Sequence, residues 1–140
     1  MYGDSMEQEL INQLLALPGE VIHLKKGEFL FHEGDKAEHF YIVQRGRLSI
    51  KKFESTGHIF ALRLVGKNNV LGEIPLYETN TRSYVFNAIA REDCSVYCIR
   101  YDVLEPAIAK DHSLAIAMMK IYTLHMRRQQ AKYRDLLLYG

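Results

Sequence analysis

The sequence predicts a mainly β fold, a sandwich or barrel of short strands, flanked by helices and followed by one long helix. Three observations carry this expectation. From Glu20 to Arg100, brief runs of Val, Ile, Leu, Phe and Tyr are cut by turns bearing glycine: Lys25-Lys26-Gly27, Glu33-Gly34-Asp35, Arg45-Gly46, Ser55-Thr56-Gly57 and Gly66-Lys67-Asn68-Asn69. Many short strands at such spacing argue for a closed or two-layered β architecture. Ahead of them, Leu10, Ile11, Leu14 and Leu15 recur at helical spacing until Pro18-Gly19 ends the segment. After Arg100 the pattern becomes helical and stays so.

The 140 residues suit about one domain, long enough to bury a core without staples. A net charge of +1 lacks the basic excess of a nucleic-acid-binding surface. No apolar run approaches the roughly 18 residues of a membrane span, and Met1 to Leu10 is too acidic and polar for a signal peptide. A cytoplasmic protein with no membrane partner is expected. Cys94 and Cys98 share one side of a strand-like run but sit roughly 13 Å apart, too far for a disulfide; two half-buried thiols are expected.

In order, residues 1–18 form a leading helix, 19–100 the β unit and 101–140 a short helix plus a long one. His39 to Val43 and Leu48 to Phe53 flank Arg45-Gly46 as a hairpin. Tyr84 to Ala90 and Ser95 to Arg100 are the last strands, separated by Glu92-Asp93. Tyr101 to Ala109 is a short helix, and Asp111 caps a helix running to about Leu138. Within it Met119, Tyr122, Met126, Gln129, Tyr133 and Leu136 alternate steps of three and four, a heptad seam. At about 42 Å this helix exceeds what a small sandwich needs, so the seam is expected to pair with the same helix of a second copy. His23, His32, His39, His58 and His112 are expected to be solvated, and His125 a packed surface residue. Arg127, Arg128, Lys132 and Arg134 form a basic run read as a solvated face.

The stretch from Val70 to Ser83 concentrates the candidate chemistry. It places Gly72, Glu73 and Arg82 around a short helical turn. A helix start offers unpaired N–H groups, an arginine can fork onto a phosphate or carboxylate, and a carboxylate can accept from ribose hydroxyls.

Together with Lys26-Gly27-Glu28-Phe29-Leu30-Phe31-His32-Glu33-Gly34-Asp35 and Phe40-Tyr41-Ile42-Val43-Gln44-Arg45-Gly46-Arg47-Leu48, this stretch resembles the cyclic-nucleotide-binding domain of the cAMP receptor protein and FNR (Crp/Fnr) family of bacterial transcription regulators. The resemblance implies a double-stranded β-helix, or jelly roll, followed by a long C-terminal dimerisation helix. Gly72-Glu73 matches the start of the family's phosphate-binding cassette, Leu76 its buried leucine and Arg82 its phosphate arginine. The resemblance implies a ligand set of Gly72, Glu73, Ile74, Leu76, Arg82 and Ser83, with Gln129 and Gln130 at the purine edge, one of them from the opposite subunit. It implies cAMP or cGMP as a possible effector, no resident cofactor or metal and no enzyme activity. Its partners would be a homodimer mate and, through a helix-turn-helix domain absent from this chain, DNA. The chain is accordingly expected to be a fragment of a longer regulator.

Two residues depart from the cassette. Pro75 stands where a backbone N–H usually faces the phosphate, and proline has none; one lost charge-assisted donor is worth roughly 1.5–3 kcal/mol. Tyr84 replaces a small alanine and brings a ring toward the nucleotide's space. A different small anion, or no ligand at all, is therefore the alternative. Rival readings are a regulatory module of a kinase or channel, which uses the same sandwich, and a cupin-like metal enzyme built on Glu33, Asp35, His39 and His58, which lacks a His-x-His pair.

Overall fold

A computed structural model describes residues 2–76 and 82–139, with side chains over 8–76, 82–124, 126–128 and at 137. Helix α1 (Tyr2–Leu15) leads into strands β1 (Glu20–Leu24), β2 (Phe29–Phe31), β3 (His39–Arg45), β4 (Leu48–Phe53), β5 (Ile59–Val65) and β6 (Val70–Leu71). A short helix α2 (Glu73–Leu76) follows, then β7 (Asn87–Ala90), β8 (Cys94–Arg100), α3 (Tyr101–Lys110) and the 28-residue α4 (His112–Tyr139).

The strands form two antiparallel four-stranded sheets, ordered β1-β8-β3-β6 and β2-β7-β4-β5. Every connection between consecutive strands except β4–β5 passes from one sheet to the other, the jelly-roll path. Ile42, Leu48, Ile50, Leu71, Val96 and Ile99 are fully buried, with Ile42 and Ile99 on the opposite face of the β3–β8 pair from Val96. Strand β3 buries four residues in a row, Phe40 to Val43, because its second face is also covered: α3 packs on β3 and β8. Helix α1 adds Ile11 and Leu14 to the core and packs against α4.

One expected pairing is corrected. The hairpin of His39–Val43 with Leu48–Phe53 does not form; β3 pairs with β8 and β6, and β4 with β7 and β5. Both strands carry inward apolar side chains, and facing each other across the core buries both sets. Gly46 makes the crossing possible. Its φ of 79° suits glycine, and a Cβ there would sit 2.3 Å from the Asp93 carbonyl oxygen. The hairpin lies instead between β4 and β5. The strand expected over Tyr84–Ala90 is regular only from Asn87, although Ser83 forms an isolated bridge with Lys36.

Asp111 caps α4 as its position predicts, accepting from the backbone N–H groups of Ser113 (2.9 Å) and Leu114 (3.3 Å). Cys94 and Cys98 are free and buried; burial pushes the Cys98 thiol up to about 11, so it stays protonated at neutral pH. No helix among the described residues is long and apolar enough to cross a membrane.

Candidate functional site

The cassette begins where β6 turns into α2. Gly72, at φ 86°, lets the backbone approach β3 so closely that a Cβ would meet the His39 carbonyl oxygen at 2.6 Å. The Tyr101 hydroxyl, buried at the start of α3, donates to the Gly72 carbonyl and ties the turn to that helix. Pro75 sits in the four-residue α2, where its missing N–H costs the helix nothing. Pro75 and Leu76 point inward, while Ile74 is exposed.

Glu73 is buried at 6 % exposure, and its Oε2 has no hydrogen-bond partner among the described residues. Burial raises its pKa; its own backbone N–H and the charge of Arg63 on β5 oppose the shift without cancelling it. It borders a cavity of about 30 Å³ shared with Arg63, Asn68, Met118, Tyr122 and Arg128, so its surroundings include α4 as well as the sheet.

The interior beside the cassette is filled. Tyr84 is 4 % exposed and stacks on Phe31, with ring centroids 3.9 Å apart and planes 11° from parallel. Its hydroxyl donates to the His39 carbonyl at 3.0 Å and lies 3.4 Å from the Tyr41 hydroxyl. The space left among Phe31, Gly72, Glu73, Pro75 and Tyr84 is about 10 Å³. That is about one water, whereas pockets for drug-sized ligands span roughly 300–1,000 Å³.

Arg82 lies elsewhere. Its Nη1 donates to the Glu105 carboxylate on α3, and its guanidinium stands 5.4 Å from the centroid of the Tyr101 ring. The Glu105 bond holds Arg82 above its usual pKa. The pair opens on a groove of about 680 Å³ that also includes Lys36, Glu38, Arg100 and Asp102. Ser83 is half-buried beside Lys36.

The structure thus gathers Gly72, Glu73, Pro75 and Leu76 at one turn, while Glu73 and Arg82 open on different cavities. Residues 77–81, and the side chains of His125, Gln129, Gln130, Tyr133 and Leu136, lie outside the described residues. Two contributors escaped the sequence reading. Glu105 is 23 positions from Arg82, and no local spacing couples them. Arg63 did carry a signal, as a lone cation between Leu62 and Leu64 in an otherwise apolar strand. The acidic residues weighed as metal ligands have cationic or histidine neighbours: Glu33 pairs with Lys52 (3.5 Å) and Asp35 with His32 (3.6 Å). No group of three or more His, Cys, Asp or Glu is placed to hold a metal among the described residues.

Comparison with known proteins agrees with this architecture. The profile of the cyclic nucleotide-binding domain family matches residues 21–111. The anaerobic regulatory protein of Bacillus subtilis is 36 % identical over 117 residues, covering 84 % of this chain and 49 % of the relative. The chain spans about half the length of the curated regulators it matches. Among solved structures, the c-di-GMP responsive global regulator CLP of Xanthomonas campestris superposes with a TM-score of 0.76 at 20 % identity, over 95 % of this chain and 66 % of that one. The catabolite activator protein of Thermus thermophilus gives 0.74 at 20 % identity, over 92 % and 59 %. The chain belongs to the cyclic nucleotide-binding domain family, in the form carried by Crp/Fnr transcription regulators.

Proposed function

We propose that this chain is the effector-sensing, dimerising domain of a Crp/Fnr-type transcription regulator, and that its effector is a small anion recognised at Arg82. It acts in the cytoplasm, reaching DNA through a helix-turn-helix domain outside this chain, and performs no catalysis. The observation that carries the choice of effector is Tyr84 stacked on Phe31. Those rings occupy the sandwich interior beside the cassette, while Arg82 borders the open groove.

A cyclic nucleotide such as cAMP or cGMP is the second reading, favoured by the Gly72-Glu73 turn and by the family. It requires Tyr84 to leave its stack and give up the bond to the His39 carbonyl. Burial also disfavours the ionised form of Glu73, the better acceptor for ribose hydroxyls.

Calorimetry with inorganic phosphate, cAMP and cGMP on wild type and Arg82→Ala separates the readings. The expected result is anion binding that Arg82→Ala abolishes, with neither nucleotide binding tighter than phosphate. Binding that survives Arg82→Ala shows the assignment to Arg82 to be wrong. Nucleotide binding at least a hundredfold tighter than phosphate, and lost in Arg82→Ala, restores the second reading.

A further inference from the structure

We infer that Glu105 is a built-in competitor for the anion at Arg82, setting the affinity of that site and making its occupancy felt at α3. The inference rests on the proposal that an anionic effector binds Arg82. Arg82 already holds a carboxylate, that of Glu105. Among the described residues, the groove beside it contains three cations, Lys36, Arg82 and Arg100, and three carboxylates, Glu38, Asp102 and Glu105. Each cation has an acidic neighbour: Lys36 and Glu38 are 3.3 Å apart, and Arg100 and Asp102 2.7 Å. Among the described residues these charges cancel, so they leave no net charge to attract an anion.

Of the three pairs, Arg82–Glu105 alone joins the cassette end to a helix distant in sequence. Arg100–Asp102 spans two residues at the α3 start, and Lys36–Glu38 stays within one loop. The side chains of Arg82 and Glu105 are 32 % and 45 % exposed, so Glu105 can rotate into the open groove without a shift of the backbone. A phosphate or carboxylate ligand that takes the Arg82 fork then meets Glu105 as a like charge and expels it. Expulsion releases the Arg82–Glu105 tie between the cassette region and α3, while the Tyr101 bond to Gly72 stays. Helix α3 packs on α4, which places the released contact one helix away from the proposed dimer seam. The ligand's differential contact with the tied and untied states is what linkage between site and helix requires.

The test is calorimetry with inorganic phosphate, and in parallel cAMP, on wild type, Glu105→Gln, Asp102→Asn and Arg82→Ala. Glu105→Gln is expected to bind phosphate about three- to fivefold tighter than wild type, the range set by an exposed ion pair. Asp102→Asn removes the same charge from the same groove but leaves Arg82–Glu105 intact, and is expected to stay within about twofold of wild type. Arg82→Ala is expected to show no binding. A wild type that does not bind beside a Glu105→Gln that does also supports the competitor. Equal affinity of Glu105→Gln and wild type, with binding still lost in Arg82→Ala, overturns the competitor and leaves the Arg82 site standing. An equal gain in Asp102→Asn overturns it too, since the groove's overall field then explains the effect. Binding retained in Arg82→Ala, or absent from both wild type and Glu105→Gln, overturns the Arg82 reading and the competitor together. Tighter binding of cAMP than phosphate in Glu105→Gln identifies a nucleotide phosphate as the competing anion; equal binding identifies the bare anion.

Discussion

Glu73 is held in a place where ionisation is costly. Its Oε2 lacks a partner among the described residues, and burial outweighs both its backbone N–H and Arg63 in raising its pKa. The folded protein therefore binds more protons than the unfolded chain between the ordinary value of 4.5 and the raised folded value. Stability attributable to Glu73 falls as pH rises through that window and stays lowered above it. Glu73→Gln carries no such loss. It is expected to be more stable than wild type at neutral pH, with the difference shrinking as pH falls towards about 4.5. Urea unfolding of both proteins across pH 4–8 measures this. A less stable Glu73→Gln at neutral pH would mean that the attraction of Arg63 exceeds the burial cost. Position 73 was legible in the sequence because Gly72-Glu73 is a local motif. The partners that decide its chemistry, Arg63 on β5 and the α4 side chains around the small cavity, come from two other elements, and although Arg63 stands out as a cation in an apolar strand, no local spacing couples it to Glu73.

At the scale of elements, a turn glycine announces a change of direction without saying which strand receives the chain next. Arg45-Gly46 reads as a hairpin because positive φ is what a tight hairpin needs. Here the same conformation carries the chain from one sheet to the other beneath the Asp93 carbonyl. Strand existence was therefore readable from Val, Ile, Phe and Gly placement, whereas pairing depended on which apolar faces meet across the core. Asp111 was readable for the opposite reason, since a cap acts on N–H groups two and three residues away. The crossing makes Gly46→Ala a sharp probe. A left-handed non-glycine residue costs of order 1–3 kcal/mol, and the added Cβ also strikes a backbone oxygen that cannot rotate away. A total loss of at least about 2 kcal/mol is expected in thermal or urea unfolding. A loss below about 0.5 kcal/mol, inside the range of ordinary surface changes, would show the crossing to be loosely held.

At the scale of the whole molecule, α4 has two apolar faces, and the sandwich accounts for one. Leu114, Ala117 and Met118 are buried, with Ile121 packed beside them. Ile116, Met119, Tyr122 and Met126 lie exposed, Met119 at 67 %. A helix that is apolar beyond its core-facing stripe needs a second surface to cover it. The β4–β5 hairpin adds Phe53, Ile59, Phe60, Leu62 and Leu64, all exposed as well. On α4, Ile116, Met119, Tyr122 and Met126 share one helical face, and exposed apolar patches mark interaction surfaces. A two-fold partner that presents the same face is the occupant that the heptad spacing of Met119, Tyr122 and Met126 fits. Sedimentation equilibrium is expected to give a mass near twice 16.2 kDa. Met126→Glu places a charge in that seam twice per dimer. An unpaired buried charge costs about 3–5 kcal/mol, so the dissociation constant is expected to rise by at least about 100-fold, while each subunit keeps its fold because Met126 is exposed in the single chain. Tyr122→Glu should weaken the dimer similarly, but it also lines the cavity beside Glu73 and so tests less cleanly. A wild type that stays monomeric at high concentration, or a Met126→Glu variant that remains a dimer, would move the interface off this face of α4.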